Sequence, residues 1–496
     1  MKNNTHKSSK AYTINNDYTH QDNKTYALED VAVCAYDISD YYEEKINQGG
    51  CSSAIILLSV GQKLVIIAIL LLISYFFFIN SQLTNLFLVI IFNLICCISY
   101  SFKYIIFQKT RKLNLTPTST HEVLCTDDLP IYSVIVPAYK EALILPKLLI
   151  NLYALNYPKD KLQILLILES DDLETIAAAT ALKKDYNFDI IIVPDSFPKT
   201  KPKACNHALN FAKGKYIVLY DADDKPCSNQ LLQAVEIFKN SKSDLVCIQA
   251  RLNYYNAKEN FLTQMFAIEY AIIFNYILPA LEKLDLFIPL GGTSNHFKAN
   301  IVKFIKWDQY NLTEDADIGV RLKKGGYKVK NMTSYTMEEA PITLKSWIKQ
   351  RSRWSKGFIQ TYFTHIRELK LLYDGLGLLG VLSFHIFFIF GLIAAIGLIL
   401  GPILIYYLDN LLISICSAVN LFLFFCSSII CAKQTSFDNK WNWMKMKYLL
   451  FPFYLILQVI PTVRSLIQLS TNLHYWEKTK HGASTKCGAF DMNEDS

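Results

Sequence analysis

Two apolar segments that lie almost end to end near the start of the chain limit its fold more than any other feature. Residues 64–79 and 83–100 are separated only by a short polar loop. The first segment is short for a span, but apolar residues 54–60 can extend it across a hydrocarbon core of about 30 Å. We therefore predict a transmembrane hairpin over residues 53–105. A buried pair of core helices is the alternative.

The composition favours a membrane protein. Of 496 residues, 52% are hydrophobic and 19% charged, and the mean hydropathy of +0.20 is high for a soluble protein. The net charge of +7 comes from 50 basic and 43 acidic residues spread along the chain, so we predict no nucleic-acid partner. None of the 12 cysteines has C-x-x-C spacing, which favours reduced thiols over disulfides or zinc sites.

Basic residues set the expected orientation of the hairpin. Lys63 precedes it and a basic cluster at residues 103–112 follows it, whereas its loop is uncharged, so both ends should face the cytosol. We predict a multi-pass protein of the cell (inner or plasma) membrane. The other predicted segments are a disordered cytosolic tail at residues 1–52, an α/β domain at 113–372, a second hairpin at 376–433, a fifth span or interfacial helix at 448–470, and a tail at 471–496.

The second membrane region is less regular than the first. Gly401, Pro402, Asp409 and Asn410 are expected to mark the turn of its hairpin. Residues 448–470 contain two prolines and Arg464, so this segment can span the bilayer, break, or lie in the interface.

Short apolar runs alternate with helix-like stretches between the two membrane regions. This alternation predicts an α/β domain built on a largely parallel sheet. The runs are YSVIVPAY at residues 132–139, QILLILES at 163–170, DIIIVP at 189–194, YIVLYDAD at 216–223 and DLVCIQA at 244–250.

An Asp-x-Asp triplet ends the fourth of these runs. Asp221 and Asp223 lie just past an apolar strand, where two carboxylates at the carboxyl end of a sheet can bind Mg²⁺ or Mn²⁺ against a diphosphate. Such triplets also arise by chance, and Asp315 and Asp317 form another. The motif alone leaves a metal site and a solvated loop as equal alternatives.

Two further motifs add chemical groups. Asp315, with Glu314 before it, lies at the start of a predicted helix, where it is either a cap or a general base toward an acceptor hydroxyl. Residues 350–354 read Gln-Arg-Ser-Arg-Trp. The two arginines suit a leaving diphosphate, and the tryptophan offers a flat face to a sugar ring. A basic, aromatic helix at the membrane surface is the alternative.

Four motifs, in this order and flanked by membrane helices, resemble those of the family 2 inverting glycosyltransferases. They are VIVPAYKE at residues 134–141, Asp221-Ala-Asp223, Thr313-Glu-Asp315 and Gln350-Arg-Ser-Arg-Trp354. The arrangement is similar to the processive, cellulose- and hyaluronan-synthase-like branch, and residues 289–297 and 474–482 resemble bacterial members. The resemblance implies a glycosyltransferase A-type, Rossmann-like fold, a UDP-sugar donor and Mg²⁺ or Mn²⁺.

The resemblance also implies a donor site. An acidic residue after the second strand should contact the uridine, but LESDD at residues 168–172 departs from the family's Asp-Asp-Gly. Glu169, Asp171 and Asp172 therefore stay open, with Asp172 favoured and Asp171 second. Lys201 and Lys203 match the place of a family lysine, with a solvated loop as the alternative. The implied donor residues are Ala138, Tyr139, Glu141, Asp171, Asp172, Lys203 and Asp221, with Asp221 and Asp223 on the metal.

Catalytic and acceptor residues follow from the same resemblance. The small residues at 291–294 match an acceptor-binding loop, since they let a sugar approach the backbone, although a tight turn explains the glycines nearly as well. The implied catalytic residues are Asp315, Glu314, Arg353 and Arg351, and the implied acceptor residues are Gly292, Thr293, Ser294, Gln350 and Trp354.

The expected function is inverting transfer from a UDP-sugar to a growing β-linked polysaccharide. One alternative is a non-processive enzyme that adds a single sugar to a lipid or lipid-phosphate carrier. The other is a catalytically silent membrane scaffold, because fold alone never proves activity. The Gln-x-x-Arg-Trp motif favours the polymerase, and the complete set of reactive residues argues against the scaffold. Composition does not identify an export or regulatory partner.

Overall fold

The computed structural model describes residues 53–111, 128–407, 410–475 and residue 477. The tail predicted at residues 1–52 and almost all of the tail predicted at residues 471–496 lie outside the described residues.

Two apolar helices begin the described part of the chain. α1 (Val60–Ile79) starts after Ser59, whose hydroxyl accepts a hydrogen bond from the backbone N–H of Gln62, and α2 spans Ser81–Arg111. No residue of α1 is buried, as expected of a helix whose side chains face lipid. α2 in contrast buries several side chains against the rest of the protein.

Eight strands in the middle of the chain form one sheet. They are β1 (Tyr132–Ala138), β2 (Leu162–Glu169), β3 (Asp189–Val193), β4 (Tyr216–Leu219), β5 (Lys225–Pro226), β6 (Leu245–Tyr254), β7 (Asn295–Lys298) and β8 (Lys328–Glu338). Their order across the sheet is β3-β2-β1-β4-β7-β6-β8-β5. Only β7 and β5 run antiparallel to their neighbours, so the prediction of an α/β domain with a largely parallel sheet is confirmed.

Helices connect and cover these strands. They are α3 (Leu145–Tyr153), α4 (Leu173–Leu182), α5 (Lys201–Ala208), α6 (Gln230–Lys239), α7 (Phe261–Ile272), α8 (Leu278–Lys283), α9 (Ala299–Ile305) and α10 (Glu314–Lys324). A π-helical turn, Ile273–Ile277, joins α7 to α8.

The register of the central strands brings their following loops together. β1 is buried on both faces, which explains its largely apolar sequence. It pairs in parallel with β2 and β4, with Ala138 opposite Leu168 and Ile135 opposite Leu219. The residues that follow these three strands therefore meet at one edge of the sheet.

Six helices follow the sheet. They are α11 (Leu344–His365), α12 (Leu369–His385), α13 (Gly391–Tyr407), α14 (Leu411–Asp438), α15 (Phe451–Ile456) and α16 (Val459–Thr471). Pro402 lies inside α13, so Gly401 and Pro402 do not mark the turn, whereas Asn410 lies between α13 and α14 and caps α14. A proline costs one backbone donor, a loss that packed membrane helices tolerate. The segment predicted to span, break or lie in the interface forms α15 and α16, which are joined by Leu457 and Gln458, and its three alternatives stay open.

Among the described residues, six helical stretches are long and apolar enough to cross a membrane, which supports membrane association. They are Val60–Ile79, Ser81–Arg111, Phe261–Lys283, Leu344–Leu404, Leu411–Asp438 and Lys447–Thr471. The third differs from the others, because 67% of its apolar window is buried in the protein, against 0% for the first. It is therefore packed as a core helix.

Candidate active site

The carboxyl edge of the sheet borders a cavity of about 1410 Å³ that continues between the membrane helices. Most of the residues predicted for the site line it, although they come from distant parts of the sequence. These are Ala138, Tyr139, Glu141, Asp221, Asp223, Gly292, Thr293, Glu314, Asp315, Gln350, Arg351, Arg353 and Trp354. Asp171, Asp172, Lys203 and Ser294 are not among the described residues that line it.

The Asp-x-Asp pair lies at the sheet edge. Asp221 accepts a hydrogen bond from the ammonium of Lys201 at 2.5 Å, and Asp223 accepts one from the backbone N–H of Glu339 at 3.0 Å. Asp224 lies beneath them and is fully buried. Its burial, followed by the charges of Asp221 and Asp223, holds the pKa of Asp224 well above its usual range. Burial and the two neighbouring carboxylates therefore disfavour the ionised form of Asp224.

Asp221 and Asp223 fit a divalent cation. Mg²⁺ is commonly held by one or two carboxylates together with substrate phosphates. The side chain of Asp221 is 37% exposed, so its oxygens are accessible to such an ion. Within the described residues, no group of three or more His, Cys, Asp or Glu side chains is arranged to hold a metal.

Glu314 and Asp315 are the first residues of α10, whose amino terminus favours negative charge. Burial, followed by the charge of Glu314, raises the pKa of Asp315 to about 7. Burial also raises the pKa of Glu314. A carboxyl group with a pKa near neutrality is suited to accept a proton from a substrate hydroxyl at cellular pH.

Two glycines let neighbouring elements approach α10 closely. A Cβ atom on Gly319 would lie 2.1 Å from the carbonyl oxygen of Ile288. A Cβ atom on Gly357, in α11, would lie 2.6 Å from the backbone nitrogen of Thr313. These close contacts fix the start of α10, and with it Asp315, against the cavity.

The three acidic candidates after β2 have different surroundings. Asp172 accepts hydrogen bonds from the backbone N–H groups of Lys140 and Thr175, so it caps α4. Asp171 pairs with Lys199 at 2.7 Å on the surface. Glu169 lines the cavity. This position favours Glu169 as the uridine contact over Asp172, which the sequence favoured. The identity of the uridine contact stays a prediction.

Lys203 and Lys201 follow the donor-side loop at the start of α5. Lys203 is 2% exposed and pairs with Glu169 at 3.2 Å. Lys201 lines the cavity and contacts both Asp221 and the carbonyl oxygen of Gly292, the latter at 2.6 Å. Burial lowers the pKa of Lys201, but the charges of Asp221 and Glu314 outweigh burial and leave that pKa above its ordinary value. Lys201 therefore stays charged between the donor and acceptor sides.

The predicted acceptor loop lies beside the predicted base. A Cβ atom on Gly292 would be 3.5 Å from Oδ2 of Asp315, so the glycine leaves space there. Thr293 donates hydrogen bonds from its hydroxyl to Asp224 and to the carbonyl oxygen of Leu219. Ser294 has a φ of 57° and donates to Thr336 at 2.6 Å, so its side chain points away from the cavity.

The Gln-Arg-Ser-Arg-Trp motif lies on α11, and its two arginines have different neighbours. Arg353 donates a hydrogen bond to the carbonyl oxygen of Leu312 at 3.4 Å, close to the start of α10. The charge of Arg353 offsets part of the rise in the pKa of Asp315. Arg351 forms a two-pronged ion pair with Glu269, and its guanidinium lies 4.7 Å from the ring centre of Trp354. Oε1 of Gln350 is buried without a hydrogen-bond partner among the described residues.

The part of the cavity between the membrane helices is called here the membrane-side chamber. One face, from α13, is entirely apolar. The chamber is lined by Ser99, Tyr100, Lys103 and Tyr104 of α2, by Gly391, Leu392, Ala394, Ala395 and Leu398 of α13, and by Phe424, Ser427, Ser428 and Cys431 of α14. Glu269 and Arg351 also line the cavity.

The segment after α16 also lines the cavity. Leu473, His474 and Tyr475 line it, and Lys356 of α11 donates hydrogen bonds to the carbonyl oxygens of Asn472 at 3.0 Å and Tyr475 at 2.9 Å. Sequence reasoning noted this stretch by resemblance but gave it no role.

Sequence reasoning also missed Glu269 and Lys103 as cavity residues. Lys103 is a charged residue within a helix long and apolar enough to span a membrane, and such residues are usually functional, whereas Glu269 lies in the core-packed helix α7. The sequence shows a charged residue in an apolar helix at each position, but it does not show which residues lie around it in the fold.

Comparisons with known proteins agree with this geometry. Residues 130–357 match the family model described as "Glycosyltransferase like family 2". This part of the chain belongs to the family 2 glycosyltransferases. A mannosyltransferase from Pyrobaculum calidifontis, solved with GDP-Man and Mn²⁺, superposes with a TM-score of 0.50 at 16% identity, over 76% of this chain and 99% of that one. The predicted glycosyltransferase A-type fold is therefore confirmed.

Two curated relatives differ in their named products. A β-monoglucosyldiacylglycerol synthase of Trichormus variabilis is 28% identical over 244 residues, which cover 48% of this chain and 51% of that protein. A poly-β-1,6-N-acetyl-D-glucosamine synthase of Staphylococcus aureus is 26% identical over 233 residues, which cover 47% of this chain and 55% of that protein. The chain thus spans about half the length of these relatives.

Proposed function

We propose that the chain transfers a sugar from a UDP-sugar, with inversion, to an acceptor that reaches the site from the membrane. One observation carries this proposal: a single cavity joins Asp221, Asp223 and Asp315 to the membrane-side chamber. The family of residues 130–357 supports sugar transfer, and the UDP-sugar is taken from the sequence resemblance.

Asp315 acts as the general base in this proposal. It removes the proton from the acceptor hydroxyl while that oxygen attacks the anomeric carbon. The bond from the anomeric carbon to the diphosphate oxygen breaks, and the diphosphate leaves with the electron pair. Inversion gives a β-linkage from an α-linked donor. Gly292 leaves room for the acceptor sugar beside Asp315.

Positive groups offset the charge that develops on the leaving diphosphate. Arg353 and Lys201 line the cavity near Asp221 and Glu314 and would act here. A bound Mg²⁺ or Mn²⁺ on Asp221 and Asp223 would supply further charge neutralisation when present. Arg351 is paired with Glu269, so we assign it to holding Trp354 and the acceptor side in place.

A lipid-linked acceptor fits the chamber best. The α13 face of the chamber offers no polar side chain to a sugar hydroxyl. Burial of a hydroxyl without a hydrogen-bond partner costs about 1–3 kcal/mol of free energy, whereas a hydrocarbon chain needs no such partner. The diacylglycerol named for the cyanobacterial relative agrees with this class. The catalytic domain would face the cytosol, following the basic residues that flank α1 and α2.

A growing β-linked polysaccharide is the second candidate. Trp354 lines the cavity, where its ring would offer a flat face to a sugar, and residues of the membrane helices line the same cavity. The glycan named for the staphylococcal relative agrees with this class.

Product analysis tests the proposal. The purified chain in lipid nanodiscs with Mg²⁺ or Mn²⁺ is supplied with individual UDP-sugars, and UDP release and labelled product size are measured. A lipid that carries one sugar is the expected product, and a long glycan would establish the second candidate. Binding of UDP and metal without release from any donor would contradict catalysis by this chain alone. No binding at all would leave only the membrane scaffold.

A further inference from the structure

Lys103 introduces a charge into the otherwise mostly apolar membrane-side chamber. It lies in α2 and lines the chamber, and its Nζ would be 3.6 Å from a Cβ atom on Gly391. Among the described residues, its ammonium makes no hydrogen bond and no ion pair. A charged side chain within a membrane helix that faces a cavity usually marks a binding site.

The nearest carboxylate does not neutralise this ammonium. Glu269 accepts hydrogen bonds from both terminal nitrogens of Arg351, from the hydroxyl of Tyr454 at 2.6 Å, and from Gln458 at 3.3 Å. The charge of Arg351 therefore already balances that of Glu269. Lys103 therefore leaves one positive charge in excess in the membrane-side chamber, where it attracts an anion.

Ser99 provides a second and independent observation. It precedes Lys103 by four residues, so the two side chains lie on the same face of α2. Ser99 is 1% exposed, lines the same chamber, and its hydroxyl has no hydrogen-bond partner among the described residues. An unpaired buried hydroxyl next to an unpaired ammonium provides two donors for anionic oxygens.

The depth of this pair suits a lipid headgroup. Lys103 precedes Lys109, at the basic end of α2, by six residues, or about 9 Å along the helix axis. The headgroup region is about 5–8 Å thick on each side of a bilayer, and a lysine side chain extends toward it.

We infer that Ser99 and Lys103 form a subsite for the phosphate group of a lipid, whose hydrocarbon chain occupies the apolar α13 face of the membrane-side chamber. This inference rests on the lipid-linked acceptor of the proposed function and specifies it: the acceptor carries a phosphate. The phosphate is bound and not transferred, and the sugar is added at a hydroxyl that reaches Asp315.

The test is a binding measurement on the full-length protein in phosphatidylcholine nanodiscs. Dioctanoyl phosphatidate is compared with dioctanoylglycerol, which has the same chains without the phosphate, and with inorganic phosphate. We expect phosphatidate to bind at least tenfold more tightly than either. Equal affinity for the two lipids would overturn the subsite, and equally tight binding of inorganic phosphate would overturn its assignment to a lipid.

Variants of α2 link the preference to this pair. Lys103→Met should reduce phosphatidate affinity at least tenfold, Ser99→Ala should reduce it severalfold, and Lys103→Arg should retain it. Lys109→Met removes the same charge from the same helix outside the chamber and should change nothing. Wild-type phosphatidate affinity in Lys103→Met would overturn the inference.

UDP and Mn²⁺ binding, measured in each variant, keeps this test separate from that of the proposed function. Unchanged UDP binding in Lys103→Met shows that the variant is folded. If UDP binding is absent in the wild type while phosphatidate still binds at Lys103, the proposed function fails and the subsite stands.

Discussion

Asp315 and Asp317 lie on the same helix, yet their surroundings give them opposite roles. Burial would raise the pKa of Asp317, but Arg321 at 2.8 Å and His365 at 3.0 Å hold that pKa below its ordinary value. Asp317 therefore stays charged and fixes α10 to its neighbours. The pKa of Asp315, which lacks such an ion pair, is raised by burial, so it is the residue suited to proton transfer.

Replacement of Asp315 by Asn should remove the base and keep the shape of the side chain. We expect Asp315→Asn to lower the transfer rate roughly 10²–10⁴-fold while the affinity for UDP and metal changes less than about twofold. UDP release and UDP binding measured on the same preparation check this. Asp285→Asn, on the surface, is the control and should keep wild-type activity. Transfer near the wild-type rate in Asp315→Asn would exclude Asp315 as the base.

The raised pKa of Asp315 also predicts a pH profile. The base works only as the carboxylate, and with a pKa of about 7 the inactive protonated form persists up to neutral pH. The turnover rate should therefore increase with pH through 7, reach a plateau above it, and fall about tenfold per unit well below it. Initial rates at saturating donor between pH 5.5 and 8.5 check this. A rate that is constant from pH 5.5 to 7 would contradict the assignment.

At the scale of elements, the position of α10 depends on its close contact with the loop before β7. Ala at Gly319 would bring a Cβ atom within 2.1 Å of the carbonyl oxygen of Ile288, and such overpacking costs about 1–3 kcal/mol. Gly319→Ala should therefore lower both the unfolding temperature and the transfer rate. Gly61→Ala in α1, where nothing lies within 4 Å, should do neither. A stable and fully active Gly319→Ala would show that this contact does not position Asp315.

The parts of the site that the sequence predicts are those at the ends of elements. Asp221 and Asp223 follow β4 directly, and parallel strands bring their carboxyl ends to one edge, so the sequence pattern contains their position. Asp172 shows where this reasoning stops. It is an acidic residue at the right place, but the first turn of α4 uses its oxygens as a cap, and only the three-dimensional structure shows this.

At the scale of the whole molecule, the sequence did not show how the catalytic and membrane parts join. Glu269 reads as one acidic residue in an apolar helix, and its pairing with Arg351 connects residues 82 positions apart. The periodic patterns that predict helices and strands contain no information on that contact. From the sequence alone, the Gln-x-x-Arg-Trp motif favoured a growing polysaccharide as the acceptor. The apolar face of the chamber instead supports the lipid-linked acceptor of the proposed function.

A chamber that holds the acceptor can be filled without touching the donor site. Ala395 lines the chamber on α13, and Trp at this position would occupy space that the acceptor needs. Ala395→Trp should lower transfer to the acceptor at least tenfold and leave UDP binding unchanged. Leu400→Trp, five residues along the same helix at a position that is 39% exposed and does not line the cavity, is the matched control. If both variants transfer at the wild-type rate, the acceptor does not enter through the chamber, and the cavity between the membrane helices has no part in the reaction.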